Sequence, residues 1–286
     1  MDLQNHYHKL FIILISLALS APAYAHEMWI EPLEASAKAK TKITAHLRVG
    51  QDFNGEAMYY LPRNLQKLGI SDATGDRKIV RVIGDFPVFE QTPKSDGLQI
   101  LSYLSRATKI TYKTSEKFQK FLQNVGLDWV FGAHQKAGFP NVNFSETYVR
   151  YAKALMNRGT PSGQDKKIGL MFEIIAQENP YQLKLKDGSG QLRVQLIWQD
   201  KPLAKAQISI FEKPLINVAT TDNSDQQDYQ DSTLTKLRTN ANGFLLIPVK
   251  ANKTYMLNSV QMTRGNSDTD VIWNSHWASL TFSILP

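Results

Sequence analysis

The chain contains no cysteine at any of its 286 positions. This absence excludes disulfide bonds, a lipid anchor on an N-terminal cysteine and any metal site built on thiolates. A metal site in this chain would therefore need nitrogen and oxygen ligands. Long apolar runs are scarce too, because the only one covers residues 10–19. Such a run is too short to span a bilayer, which needs roughly 20 residues.

This short apolar run is typical of the h-region of a signal peptide, although an uncleaved N-terminal anchor has the same pattern. The small residues after it end in Ala23-Tyr24-Ala25, which fits the small-x-small cleavage pattern. We expect cleavage of residues 1–25, export to the periplasm and a mature chain without a membrane span. That chain would begin at His26, whose α-amine and Nδ1 can close a chelate ring on a transition metal.

Charge and motifs exclude several function classes. The net charge is +7, but the lysines and arginines are scattered, which is typical of a solvated basic surface. Export argues against nucleic acid as a partner. The chain also lacks a Gly-x-Ser-x-Gly motif, a His-Glu-x-x-His motif, a phosphate-binding loop and a dinucleotide fingerprint. We therefore predict that the protein is not an enzyme, with no catalytic residues and no organic cofactor.

Hydrophobic periodicity predicts a mostly β chain of the α+β class. Residues 42–49 alternate apolar and polar side chains, as a half-buried strand does. We predict an N-terminal antiparallel β domain over residues 26–178, with a helical insertion at about 114–159. Short strands separated by turn signals predict an immunoglobulin-like β-sandwich over residues 179–286.

Two details of this prediction depend on side-chain spacing. A helix is predicted from Ser145 to Gly159, because its apolar residues recur at helical intervals. These residues are Tyr148, Val149, Ala152, Leu155 and Met156. In the strand predicted at residues 167–176, Glu173 lies among apolar neighbours and needs a cationic partner. Arg150 or Lys153 of the preceding helix is the expected partner.

An acidic loop in the second half suggests a calcium site. Aspartates recur at every third position, at Asp222, Asp225, Asp228 and Asp231. Oxygen-rich loops can hold calcium, but this spacing is not that of an EF-hand and the required glycine is missing. A solvated acidic loop is the preferred interpretation.

Several segments together resemble the periplasmic family called domain of unknown function 4198, and they span nearly the whole mature chain. These segments are HEMWIEP (26–32), LRVGQDFNG (47–55), SETYVRYAKALMNRG (145–159), IGLMFEIIAQENPY (168–181), DKPLAKAQISIFE (200–212), TNANGF (239–244) and HWASLTF (276–282). Members of the family typically start with Ala-His-Asp/Glu-x-Trp, and some accompany nickel and cobalt uptake transporters. The resemblance implies metal handling, with a metal uptake transporter of the inner membrane as a partner. One departure is Gln51, where the family often has histidine.

The metal-site hypothesis centres on His26 and adds the other nitrogen and oxygen donors that the mature chain offers. Glu27 adjoins His26 and can supply a carboxylate. His46 lies on the polar face of its strand, His134 near a helix end and His276 at the start of the last strand. Each of these three also has a purely structural explanation. Imidazole and amine ligands suit nickel, cobalt or copper, and the sequence does not distinguish among them.

Three functions remain as hypotheses. The first is a periplasmic nickel- or cobalt-binding protein that assists metal uptake through His26. The second is a histidine-brace copper oxygenase, which would need a second histidine across the metal. The third is a metal-free module whose immunoglobulin-like half binds a protein or a glycan.

Overall fold

The computed structural model describes residues 26–215, 231–265 and 271–286. The predicted signal peptide and the aspartates Asp222, Asp225 and Asp228 lie outside these ranges, so both predictions stay open. In the part of the chain that is described, no helix is both long enough and apolar enough to cross a membrane.

The described ranges consist mainly of strands. Before the helices come β1 (Glu27–Pro32), β2 (Ser36–Ala37), β3 (Ile43–Gln51), β4 (Asn54–Met58), β5 (Leu65–Asp72), β6 (Gly75–Lys78), β7 (Phe89–Gln91), β8 (Gly97–Ser105) and β9 (Thr108–Tyr112). After them come β10 (Phe144–Arg158), β11 (Phe172–Ala176), β12 (Ser189–Trp198), β13 (Lys201–Pro202), β14 (Gln207–Pro214), β15 (Thr233–Arg238), β16 (Phe244–Lys250), β17 (Lys253–Arg264) and β18 (Val271–Ile284). The helices are α1 (Ser115–Asn124) and α2 (Asp128–Lys136), with 3-10 turns at Pro62–Asn64 and Pro180–Gln182.

The strands form three sheets. The largest has the order β15-β14-β17-β18-β10-β8-β5-β6, and β2 and β9 also pair with β10. A second sheet has the order β1-β3-β4, with β7 on β3, and a third has the order β11-β12-β13, with β16 on β12. Apolar side chains of the third sheet and of the large sheet form one core, which includes Phe172, Leu196 and Leu280. This face-to-face packing and the two helices confirm the predicted mostly β class with a helical insertion.

The helix predicted from Ser145 to Gly159 is wrong, because this segment is the strand β10 at the centre of the large sheet. β10 runs parallel to β18 and antiparallel to β8 and β9. Its last eight residues are buried whichever way they point. A strand buried on both faces loses the apolar-polar alternation, so helical spacing arose by coincidence. The insertion is therefore helical only within α1 and α2.

The large sheet contains strands from both sides of the domain boundary predicted at residues 178 and 179. The pairing of β10 with β18 joins Val149 to His276 and Ala154 to Thr281. The second half therefore shares backbone hydrogen bonds with the first. Whether either half folds by itself stays a prediction.

Candidate functional site

The start of the described chain is held at one end of the small sheet. β1 pairs antiparallel with β3, which places Glu27 opposite Gly50. A Cβ on Gly50 would lie 1.9 Å from the carbonyl oxygen of Asn54, so this tight turn requires glycine. The turn places the negative charge of Asp52 near Glu27. It also buries Phe53 against Trp29, with 5.4 Å between the ring centroids.

His26 and Glu27 lie together at this end of β1. His26 is exposed, and its carbonyl oxygen accepts a hydrogen bond of 2.8 Å from Nη2 of Arg150. The Glu27 side chain turns inward, and its Oε2 is buried without a hydrogen-bond partner among the described residues. Burial, with a smaller contribution from Asp52, raises the pKa of Glu27 to about 7, although backbone N–H groups of Glu27 and Asp52 and the charge of Arg150 oppose the shift. Oε2 of this carboxyl is therefore an acceptor that the described residues leave unused.

His46 does not reach His26. It lies opposite Glu31, five residues further along β1, which corresponds to about 16 Å of strand. The ring is half-buried rather than exposed and packs on Phe86, with 4.5 Å between centroids. Burial lowers the pKa of His46 to about 4. The ring is thus neutral at ordinary pH but remote from the chain start.

His134 is a buried structural side chain. Its Nδ1 accepts a hydrogen bond of 3.1 Å from Nε1 of Trp273, and its Nε2 lies 2.9 Å from the carbonyl oxygen of Pro140. This pattern fixes the tautomer with the proton on Nε2. Because both ring nitrogens are engaged, His134 has no free lone pair for a metal.

His276 lies within β18, at the position that pairs with Val149, rather than at the start of the strand. The Tyr151 hydroxyl is 3.2 Å from its Nδ1, and the Trp198 ring lies 4.7 Å from the imidazole. Burial lowers the pKa of His276 to about 4. Over the described residues, no three histidine, aspartate or glutamate side chains are grouped so that they could hold a metal ion. His26 and Glu27 are thus the predicted ligands that stay adjacent.

Glu27 also lines a pocket of about 160 Å³, which we call the Trp277 pocket. α1, β14, β15, β17 and β18 supply most of its wall, and β1 and the β3–β4 turn contribute Glu27 and Asp52. Phe121, Phe211 and Trp277 form the aromatic part of this wall, and all three are buried. The pocket therefore combines an apolar aromatic wall with polar and charged lining residues.

A chain of hydrogen bonds fixes the position of the Trp277 side chain. Its indole Nε1 donates to Oγ of Ser275, which donates to Oε1 of Glu146. Burial raises the pKa of Glu146 to about 8, so this carboxyl is largely protonated at neutral pH. Phe121 stacks on the indole with 5.5 Å between centroids. The aromatic wall is thus held by both packing and hydrogen bonds.

Apart from Glu27, sequence reasoning missed the polar residues of this pocket. Nδ2 of Asn258 is buried without a hydrogen-bond partner among the described residues, and the residue is 5% exposed. Lys117, Lys120 and Lys236 also line the pocket, and all three are exposed. Asn258 is a polar residue within an apolar strand, and this pattern could have marked it as unusual. Nothing in the sequence predicted that it would lie close to α1.

A contrasting buried cluster lies between β10 and β11. The Lys153 ammonium is 2.9 Å from Oδ1 of Asp165 and 2.9 Å from Oε1 of Glu173. The backbone N–H groups of Ile168 and Leu170 also donate to Glu173. The predicted buried ion pair of Glu173 is confirmed, and its partner is Lys153. This lysine lies on the strand β10 and not on the predicted helix.

The model of the family described as domain of unknown function (DUF4198) matches residues 23–263. The chain belongs to the DUF4198 family. This confirms the resemblance that its sequence segments indicate. No curated protein matches the chain.

This DUF4198 chain is distantly similar to solved structures of alpha-2-macroglobulins. One is Escherichia coli alpha-2-macroglobulin activated by porcine elastase, at 8% identity and a TM-score of 0.24. The match covers 91% of this chain and 20% of that protein. Another is Salmonella alpha-2-macroglobulin reacted with methylamine, at 10% identity and a TM-score of 0.21, with coverage of 92% and 15%. The chain thus spans about a fifth or less of these proteins, and scores this low carry no functional argument.

Proposed function

We propose that this protein binds a transition-metal ion through His26 and Glu27, in the periplasm, and assists nickel or cobalt uptake by an inner-membrane transporter. The observation that carries the proposal is the unpartnered, buried carboxyl oxygen of Glu27 beside the exposed His26. Ionising a buried carboxyl is costly, and the pKa of Glu27 stays raised despite the nearby charge of Arg150. A bound cation would lower that cost.

The donors at this end of β1 suit such a metal. Cleavage after Ala25 would give His26 an α-amine, which together with Nδ1 forms a chelating pair. Glu27 supplies a carboxylate, and Asp52 adds negative charge nearby. Imidazole, amine and carboxylate are ligands that nickel, cobalt and copper accept, and affinity alone would rank copper highest. The role is binding and delivery, without a catalytic step.

The histidine-brace oxygenase receives no support from the positions of His46 and His134. A brace needs a second imidazole across the metal from the first. His46 lies about 16 Å along the strand from the chain start, and both ring nitrogens of His134 are engaged. We therefore do not propose oxygen chemistry.

Metal titration of two purified forms tests the proposal. One form begins at His26, and the other carries one extra glycine that separates the α-amine from the imidazole. We expect the first form to bind about one Ni²⁺ and the second to bind at least roughly tenfold more weakly, a loss of about 1.4 kcal/mol.

E27Q in the first form should also weaken binding, whereas the matched variant E34Q, at an exposed position in the following turn, should not. Binding should weaken below about pH 6, because protons compete for the imidazole, the amine and the Glu27 carboxyl. Equal affinity of the two forms, or an affinity unchanged at pH 5, would contradict the proposal.

A further inference from the structure

The Trp277 pocket has features that a metal ion at His26 would not use. Its aromatic wall of Phe121, Phe211 and Trp277 lies along one side, and Asn258 lies in the strand next to β18. A metal ion needs neither an apolar wall nor an amide N–H donor. These features therefore suit a second ligand, different from the metal ion.

The unpartnered amide of Asn258 indicates what that ligand must carry. The residue pairs with Ser209 of β14 and Ser279 of β18, so it lies on an interior strand of the large sheet, and it is buried from water. A buried donor without an acceptor destabilises the folded protein, because it has lost its hydrogen bonds to water. A ligand oxygen placed at Nδ2 would remove that cost, so the ligand is expected to bear an acceptor group.

The apolar wall and the volume set the size of the ligand. Trp277 is 4% exposed, Phe121 9% and Phe211 2%, so this wall is nearly dry. An apolar cavity of roughly 150 Å³ binds benzene in an engineered protein, and the Trp277 pocket has about 160 Å³. One six-membered ring therefore fits the volume of the pocket, beside the aromatic side chains.

The charges of the exposed lysines indicate the charge that the ligand should carry. Lys117 and Lys120 lie on α1 and Lys236 on β15, and all three are exposed at the pocket. Lys236 donates to the backbone and side-chain oxygens of Asn124, which are neutral acceptors, at 2.9 and 2.6 Å. No ion pair holds any of these three lysines within the described ranges. Their charge therefore attracts an anion to this end of the pocket.

We infer that the Trp277 pocket binds a small organic acid with a single six-membered ring. The ring packs against Trp277, Phe121 and Phe211, the carboxylate meets the lysines at the opening, and the Asn258 amide donates to an oxygen of the ligand. Glu27 and Asp52 also line the pocket and disfavour a second negative group on the ligand. The ligand is therefore a monoanion.

Calorimetric titration with benzoate tests this inference, with benzyl alcohol as the neutral ligand of similar size. We expect saturable 1:1 binding of benzoate and at least roughly tenfold weaker binding of benzyl alcohol. The extra-glycine form of the protein, which lacks the N-terminal chelate, should bind benzoate as well as the other form. Its benzoate affinity thus separates this inference from the metal proposal.

Two sets of variants locate the binding. N258D replaces the donor by an acceptor of the same shape and should weaken benzoate binding at least tenfold. S209L places a larger side chain at the pocket wall and should block binding. Thermal unfolding of both variants shows whether the fold is kept.

The lysines allow a matched comparison that does not disturb the core. The triple variant K117A/K120A/K236A should weaken benzoate binding several-fold at low salt and reduce its salt dependence. The control K184A/K186A/K201A removes the same charge from exposed positions away from the pocket and should leave binding unchanged. Absence of benzoate binding up to about 20 mM, which corresponds to less than roughly 2.4 kcal/mol of binding free energy, would overturn the inference. Equal losses in the two triple variants would overturn it as well.

Discussion

Two buried acidic regions of this molecule differ in how their carboxyl groups are satisfied. Between β10 and β11, Asp165 and Glu173 share the Lys153 ammonium and accept backbone N–H groups. At the chain start, Glu27 keeps a buried oxygen without a partner and has a pKa raised to about 7. Burial alone therefore does not mark a functional carboxyl. A carboxyl with complete local partners holds the fold, whereas one without them is available to a ligand.

The largest expected effect is the loss of the cation from the satisfied cluster. K153M leaves two buried carboxylates without their counter-charge and should lower the free energy of unfolding by about 3–5 kcal/mol. Urea unfolding followed by circular dichroism measures this change. K201M, at an exposed position, is the control and should change stability little. A loss below roughly 1 kcal/mol in K153M would remove the contrast between the two regions.

The second prediction concerns Glu27, where a substitution should raise the free energy of unfolding rather than lower it. Because its pKa is raised in the folded chain, the wild-type protein loses stability as pH rises from about 4.5 through about 7. In EDTA, E27Q should therefore be more stable than wild type by roughly 2–3 kcal/mol at pH 8, with the difference vanishing near pH 4.5. Unfolding at several pH values measures it.

E173Q provides the matched control for that experiment. This substitution also removes one negative charge, but from a carboxyl that contacts Lys153, so it should destabilise the protein at pH 8. Destabilisation by E27Q at pH 8 would show that Glu27 has a partner in solution and would break the comparison.

A smaller effect is expected at Asn258. N258L replaces an unpartnered buried amide by an apolar side chain of similar shape, so the free energy of unfolding should stay the same or rise by up to about 1 kcal/mol. Chemical unfolding measures this change. N157L, which removes an amide that donates to Ser36 and to the Gly159 carbonyl oxygen, should instead destabilise the protein. Comparable losses in both variants would mean that Asn258 is satisfied within the protein.

The smallest effect is expected at an exposed ion pair. Lys167 and Asp200 are 2.7 Å apart, but 48% and 74% of their side-chain surfaces are exposed. K167A should change the free energy of unfolding by less than about 0.5 kcal/mol, because water and salt screen such pairs. A larger loss would mean that proximity, rather than burial, makes the Lys153 cluster important.

Strand prediction succeeded where one face of a strand is buried. The alternation in residues 42–49 predicts a strand, and β3 covers Ile43–Gln51. It failed in β10, where Tyr151 and Leu155 contribute to one core and Ala152 and Met156 to another. Two buried faces remove the alternation, and the pairing with β18 joins residues more than 100 positions apart. Local periodicity contains no signal for such a contact.

The candidate site, too, was predictable from the sequence only in part. The sequence predicted a partner for Glu173, since an unpaired charge among apolar residues is costly, and Lys153 is that partner. It also singled out His26 and Glu27, which are neighbours along the chain. It could not predict that Asn258 and Trp277 meet Phe121 and the lysines of α1, because these residues lie on separate elements.

By itself, the sequence determined the mostly β class, the absence of thiolate chemistry and the membership of the DUF4198 family. These depend on composition and on local patterns, which each segment carries with it. Only the tertiary structure decided which histidines stay apart, which carboxyls are satisfied and where the Trp277 pocket forms. Those outcomes depend on strand register and sheet packing, which bring together side chains that are far apart along the chain.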